Sequence, residues 1–172
     1  MSTLASNEKN AFLELQHIEL ELKNGRQQHL RHFVDQYYCY KNNHVTRKGR
    51  AKWEDIVFKG VVSVEARQLN RKEVVKEHVV PLLVITQRLV ELAKSGEMSC
   101  QSIAELLDRY VHFATISKRE DALLREKKLT SKMPDGFYEE GHTLYNDPYS
   151  RYKIVEIELE NCQFIEQAEE KN

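Results

Sequence analysis

The sequence predicts a mainly α-helical protein, a single domain of five or six helices with one or two short strands. Several segments repeat apolar residues at the three-to-four spacing of a helix. The 6 glycines and 3 prolines are too few for a loop-rich β fold, which needs turn residues at short intervals. A length of 172 residues suits one domain, since domains run to about 100–200 residues each. No repeat or low-complexity linker marks a boundary, so we predict one domain over residues 1–172.

The N-terminal half carries two predicted helices and one ambiguous segment. Residues 1–8 are polar, and we expect them to be disordered. Residues 12–22 alternate like a strand but also share a helical face, and we interpret them as a helix. The second helix rests on a stripe at i, i+3, i+4, i+7 and i+8, formed by Leu30, Phe33, Val34, Tyr37 and Tyr38. Residues 53–64 also have helical spacing, which favours a helix, although their β-branched side chains leave a strand as the alternative.

Three further helices are predicted from spacing and from their end signals. Residues 82–93 carry an apolar stripe that stops at Gly96, as helices often do at glycine. Ser99 can cap the next helix. Ser117 and Glu120 form a capping box, in which each side chain satisfies a backbone donor of the other residue. This box opens a short helix that runs to about residue 127.

Strands are predicted only at two places. Residues 74–80 are a candidate strand, and residues 155–159 alternate between apolar and acidic side chains, which is typical of a half-buried edge strand. Residues 135–150 are irregular, aromatic and acidic. We expect residues 166–172 to be disordered.

Cysteine usage and hydropathy predict a soluble cytoplasmic protein. Cys39, Cys100 and Cys162 are far apart and form no paired motif, which argues against a disulfide framework or a cysteine-rich zinc site. The first residues lack the basic-then-apolar pattern of a signal peptide. No apolar stretch approaches the roughly 20 residues that span a bilayer, so we expect no membrane partner.

The net charge of −1 hides a strong asymmetry along the chain. Residues 41–80 carry ten Lys and Arg against five Asp and Glu, whereas residues 135–172 carry three against ten. A basic middle followed by an acidic end is typical of proteins that bind polyanions. The same pattern arises when an acidic tail packs against a basic surface of its own domain, and the sequence leaves both interpretations open.

One short cluster carries a chemical hypothesis, namely Glu77-His78-Val79-Val80-Pro81. It resembles the first signature of HNH-type nucleases, in which an acidic residue directly precedes a histidine, an aliphatic residue and a proline. The resemblance implies that Glu77 is a catalytic residue that binds a divalent metal, Mg²⁺ or Mn²⁺. It implies that His78 is the general base, because a neutral imidazole can take a proton from water.

The remainder of that nuclease signature is not found. The family continues with a loop or hairpin and a helix that supplies an asparagine and a second histidine, whereas here Pro81 leads almost directly into an apolar helix. The other site positions are therefore unassigned. A purely structural interpretation also fits, since proline is common at the first turn of a helix.

Basic residues flank this cluster and predict contacts with nucleic-acid phosphates. The candidates are Arg71, Lys72, Lys76, Lys118 and Arg119. A further basic stretch lies at residues 47–52, just after Tyr37, Tyr38 and Tyr40, which could stack on bases. The alternative is that the tyrosines belong to the core and the cations to a solvated face.

Two functions of different class follow from these observations. The first is a nucleic-acid-binding protein, in the form of a small HNH-like metal-dependent endonuclease or a degenerate relative. The second is a non-enzymatic protein-interaction module, such as an inhibitor, immunity protein or adaptor. In the second, the acidic segment 135–172 meets a basic partner surface or mimics a polyanion.

Overall fold

The structure, a computed structural model, describes residues 3–160. Within them lie six α-helices and four β-strands. The helices are α1 (Thr3–Lys23), α2 (Leu30–Lys41), α3 (Leu82–Ser95), α4 (Cys100–Tyr110), α5 (Lys118–Glu126) and α6 (Ser150–Ile154). The strands are β1 (Val61–Ser63), β2 (Val74–His78), β3 (Phe113–Ser117) and β4 (Leu159–Glu160). The predicted class, mainly α with short strands, is confirmed.

The described residues form two compact units, each built from two stretches of the chain. The first comprises the residues up to Asp55 together with Val80–His112, and the second comprises Ile56–Val79 together with the residues from Phe113 onward. The prediction of one domain stays a prediction.

The first unit is a cluster of helices, in which α1 contacts α2, α3 and α4. Each helix contributes the buried part of its apolar stripe: Leu15, Ile18 and Leu22 from α1, Leu30 and Val34 from α2, Ile85 and Leu89 from α3, and Ile103 and Leu107 from α4. The end signals act as predicted. Gly96 caps α3 at a φ of +80°, and Ser99 caps α4 by accepting a hydrogen bond from Ser102.

The second unit is built on a four-stranded sheet in the order β2-β3-β1-β4. Strand β3 lies parallel to β1 and antiparallel to β2, and β4 is antiparallel to β1. One core cluster contains Ala114 and Ile116 of β3 with Leu124 of α5 and Tyr152 of α6. The predicted capping box of Ser117 and Glu120 opens α5.

The structure corrects several sequence-based predictions. Residues 53–64 do not form the predicted helix. They contain a short 3-10 helix, Trp53–Ile56, and then β1. The β-branched Val61 and Val62 pair with β3 there, so sheet formation overrides the helical spacing. The sheet also has four strands rather than one or two.

The chain ends also differ from the predictions where the structure describes them. The predicted strand at residues 155–159 is mostly a turn, with Glu156 at a φ of +57°, and only Leu159–Glu160 pairs with β1. Residues 3–8, predicted to be disordered, lie in α1. The prediction for residues 166–172 lies outside the described residues.

Candidate nucleic-acid interface

Glu77 and His78 lie next to each other at the C-terminal end of β2. Their backbones pair with Ala114 and Phe113 of β3. Successive side chains of a strand point to opposite faces of the sheet, so the two predicted catalytic groups diverge. The His78 ring packs against the Phe113 ring, with 4.4 Å between the centroids.

The Glu77 carboxylate is held by a buried arginine. Arg151 is fully buried, Glu77 keeps 22% of its side-chain surface exposed, and Arg151 Nη2 donates to Glu77 Oε1 at 2.9 Å. The guanidinium also donates to three backbone carbonyls, from Nε to Val79 O, from Nη1 to Leu129 O and from Nη2 to His78 O. Glu77 therefore serves as the counter-ion of a charge that water does not reach.

This geometry does not favour a metal at Glu77. A carboxylate that neutralises a buried guanidinium has little charge left for a divalent cation. Among the described residues, no three His, Cys, Asp or Glu side chains come together as a metal site would require. The roles of Glu77 as ligand and His78 as base stay predictions.

Four of the five predicted phosphate-binding cations lie away from the predicted catalytic pair. The exception is Lys76, which directly precedes Glu77 and whose ammonium lies over the Phe113 ring that His78 also contacts. Lys118 N donates to Glu73 O at 2.9 Å, which places Lys72 and Lys118 near each other, beside the first residues of β2. His78 ends the same strand four residues after Val74, a distance of about 13 Å at strand rise. Arg71 and Arg119 adjoin Lys72 and Lys118 in sequence.

Arg119 and Lys76 already have partners within the second unit. Arg119 Nε donates to both carboxylate oxygens of Glu65, at 3.1 and 2.9 Å, and these hydrogen bonds lower the pKa of the Glu65 carboxyl. The Lys76 ammonium lies over the Phe113 ring, 5.1 Å from its centroid. Lys72 and Lys118 are exposed, and within residues 3–160 neither forms an ion pair.

A second basic feature lies in the first unit and contains the further basic stretch of residues 47–52. Residues 44–52 form a short hairpin, which we call the basic hairpin. Thr46 N donates to Arg50 O at 2.7 Å, Gly49 N donates to Thr46 O at 2.8 Å, and Val45 bridges Ala51. Gly49 has a φ of +73°, which places a residue with left-handed backbone at the end of the turn, as three-residue hairpin loops require.

The basic hairpin presents three cations to solvent. Arg47 and Lys48 occupy the turn, Arg50 follows it, and all three are exposed. None of them forms an ion pair with any residue that the structure describes. The cations that flank them differ, since Lys52 pairs with Asp55 at 2.7 Å and Lys41 pairs with Asp108.

The tyrosines that precede the hairpin are not free to stack on bases. Tyr37 is only 5% exposed, and its hydroxyl donates to Asp108 Oδ1 at 2.9 Å. Burial raises its pKa. Tyr38 is half-buried and stacks on His44, with 5.9 Å between the ring centroids. For Tyr37, the interpretation as a core residue is confirmed.

The acidic segment is described only up to Glu160, and it begins with a loop of residues 134–147, which we call the acidic loop. Phe137 anchors the loop in a fully buried position and accepts a hydrogen bond from Asn146 N at 3.0 Å. Tyr138 and Tyr145 are 49% and 42% exposed, and the acidic pair 139–140, which directly follows Tyr138, is exposed as well.

No helix in the described part of the chain combines the length and the apolar character that a membrane span requires. Comparisons with protein-family models, with curated proteins and with solved structures found no match for this chain. Its function must therefore be inferred from its own residues.

Proposed function

We propose that this protein binds nucleic acid and that the basic hairpin is its principal contact with the phosphate backbone. The observation that carries the proposal is the set of three exposed cations, Arg47, Lys48 and Arg50, which have no anionic partner in the described residues. An unpaired cation keeps its full attraction for an external phosphate. A cation that is already paired, such as Arg119, must first give up its own carboxylate.

The turn geometry supports this choice. The hairpin closes through three backbone hydrogen bonds, from Thr46 N to Arg50 O, from Lys52 N to His44 O and from Gly49 N to Thr46 O, so the three cations are held close together before any ligand binds. Less conformational entropy is then lost on binding than with a flexible basic tail. Three phosphate contacts suit weak, sequence-independent affinity, for which dissociation constants of about 10⁻⁴–10⁻⁶ M are typical at physiological salt.

The test is a fluorescence-anisotropy titration of a labelled mixed-sequence DNA duplex. The wild type is compared with the hairpin variant Arg47→Ser, Lys48→Ser, Arg50→Ser. The control variant Lys94→Ser, Lys127→Ser, Lys132→Ser removes three exposed lysines that are also unpaired in the described residues. Both variants change the net charge equally. Loss of binding in the hairpin variant alone supports the proposal, whereas equal effects of the two variants contradict it.

A second candidate function is a protein-interaction module that uses the acidic loop. The observation that favours it is the exposure of Tyr138 and Tyr145 in the same loop as the exposed acidic pair 139–140. Exposed tyrosine is enriched at protein interfaces, and carboxylates complement a basic partner.

The second candidate is tested by affinity capture from the native host. The bait is the wild type or the variant Tyr138→Ser, Tyr145→Ser, Glu139→Gln, Glu140→Gln. A basic protein retained by the wild type and lost with the variant supports the module. Identical recovery with the two baits counts against it.

A further inference from the structure

We infer that the nucleic acid bound by the basic hairpin is B-form duplex DNA, and that the hairpin enters its major groove. The inference rests on the proposed function and specifies its ligand.

The shape of the hairpin matches one groove. A two-stranded ribbon has about 4.8 Å between its strands, and its turn here contains only Arg47, Lys48 and Gly49. The major groove of B-form DNA is about 12 Å wide and admits a two-stranded ribbon with its side chains. The major groove of A-form RNA is deep and narrow, so the same ribbon is excluded from it.

The position of the cations suits that entry. Arg47 and Lys48 lie at the tip, where they would meet base edges or the groove floor, and Arg50 lies one residue further along the strand. An arginine fork binds a phosphate or a guanine edge with two parallel hydrogen bonds. The arrangement therefore supplies two forks and one ammonium within four consecutive residues.

The rings near the hairpin argue against single strands. Proteins that bind single-stranded nucleic acid combine a basic groove with aromatic side chains on which bases stack. Of the rings in residues 38–53, Tyr38, Tyr40, His44 and Trp53 are all half-buried, and Tyr38 stacks on His44. Within that stretch the exposed cations thus lie beside no exposed aromatic ring. The exposed ring of Phe12 lines a pocket with Tyr40 and Asn43, before the hairpin begins.

The experiment compares three ligands of one sequence and length: a DNA duplex, an RNA duplex and the single-stranded DNA. Each is titrated with the full chain and with the hairpin variant and control variant defined above. We expect the wild type to bind the DNA duplex at least about tenfold more tightly than the other two ligands. The hairpin variant is expected to lose this preference, and the control variant to keep it.

The groove is tested by competition with small dyes on the bound DNA duplex. A major-groove dye is expected to displace the protein at concentrations at which a minor-groove dye does not. Displacement by the minor-groove dye alone would overturn the assignment of the groove.

The outcomes separate the inference from the proposed function. If RNA or single-stranded DNA binds as tightly as the duplex and still depends on the hairpin, the inference fails and the proposed function stands. If no ligand responds to the hairpin variant, both fail. Circular dichroism and thermal melting check that each variant is folded. If the hairpin variant with three serines is not folded, the more conservative variant Arg47→Gln, Lys48→Gln, Arg50→Gln takes its place.

Discussion

The guanidinium of Arg151 and the carboxylate of Glu77 form a hydrogen-bonded ion pair of 2.9 Å across 74 residues of sequence. The arginine is fully buried, and its guanidinium also donates to three backbone carbonyls. The pair joins the end of β2 to α6 inside the second unit. It gives a structural reason for an acidic residue directly before His78.

We predict that Glu77→Ala lowers the free energy of unfolding by about 3 kcal/mol, because it leaves the Arg151 charge buried without a counter-ion. The partial exposure of Glu77 keeps the effect at the lower end of the usual range. Urea denaturation measures it. The matched control is Glu65→Ala, which breaks the exposed pair with Arg119 and should cost no more than about 1 kcal/mol. Equal losses in the two variants would contradict the structural role of Glu77.

Nuclease activity is best tested at His78, because a Glu77 variant that loses activity could simply have unfolded. If the HNH resemblance reflects catalysis, the wild type nicks plasmid DNA with Mg²⁺ or Mn²⁺ and His78→Ala does not. Since Glu77 is committed to Arg151, we expect no metal-dependent nicking by either protein. Nicking by the wild type that His78→Ala abolishes would restore the catalytic hypothesis.

The turn of the basic hairpin should matter for DNA binding even when all its cations remain. Gly49 has a φ of +73°, where a β-branched residue is strained. Gly49→Val is therefore expected to open the hairpin and weaken DNA binding severalfold. Gly25, at a φ of +65° between α1 and α2, offers the matched control Gly25→Val, which introduces the same kind of strain elsewhere. We expect its DNA affinity to stay within twofold of the wild type.

The stability of the protein should depend on pH through His112. Burial lowers the pKa of this imidazole below its usual 6.5. A depressed pKa in the folded state means that the stabilising contribution is complete above pH 6.5 and is lost as the pH falls towards the folded-state pKa. We expect the wild type to lose stability as the pH is lowered from about 7 to 5. His112→Asn should lose less over this range in urea denaturation, and parallel curves would exclude His112 as the cause.

Local patterns are sufficient to predict most of the helices but not the short α6 and not the sheet. The helices α2, α3 and α4 follow from apolar spacing and end signals, which act within a few residues. Strand β3 was missed because all five of its residues are buried, so it lacks the alternation that identifies a half-exposed strand. For β1 the sequence favours a helix and leaves a strand as the alternative, because the pairing with β3 that decides for the strand comes more than fifty residues later.

The candidate site was predictable only in part. The sequence identifies the basic stretch at residues 47–52, but it does not show which cations in and near this stretch are paired. Lys52 pairs with Asp55 through a local turn, whereas Lys41 pairs with Asp108 only through the tertiary fold. The glycine after Thr46-Arg47-Lys48 is a turn signal that could have revealed the hairpin. The partner of Glu77 could not have been found, since Arg151 is distant in sequence and typical of no motif.

The most direct test of the proposed function is the salt dependence of DNA binding by the wild type and the hairpin variant. Three phosphate contacts predict that the logarithm of the association constant falls with the logarithm of salt concentration at a slope of about −2.7 in B-form DNA. We predict that replacing Arg47, Lys48 and Arg50 by serine brings this slope close to zero, while the control variant keeps it. An unchanged slope in the hairpin variant would contradict the assignment of the basic hairpin as the nucleic-acid contact.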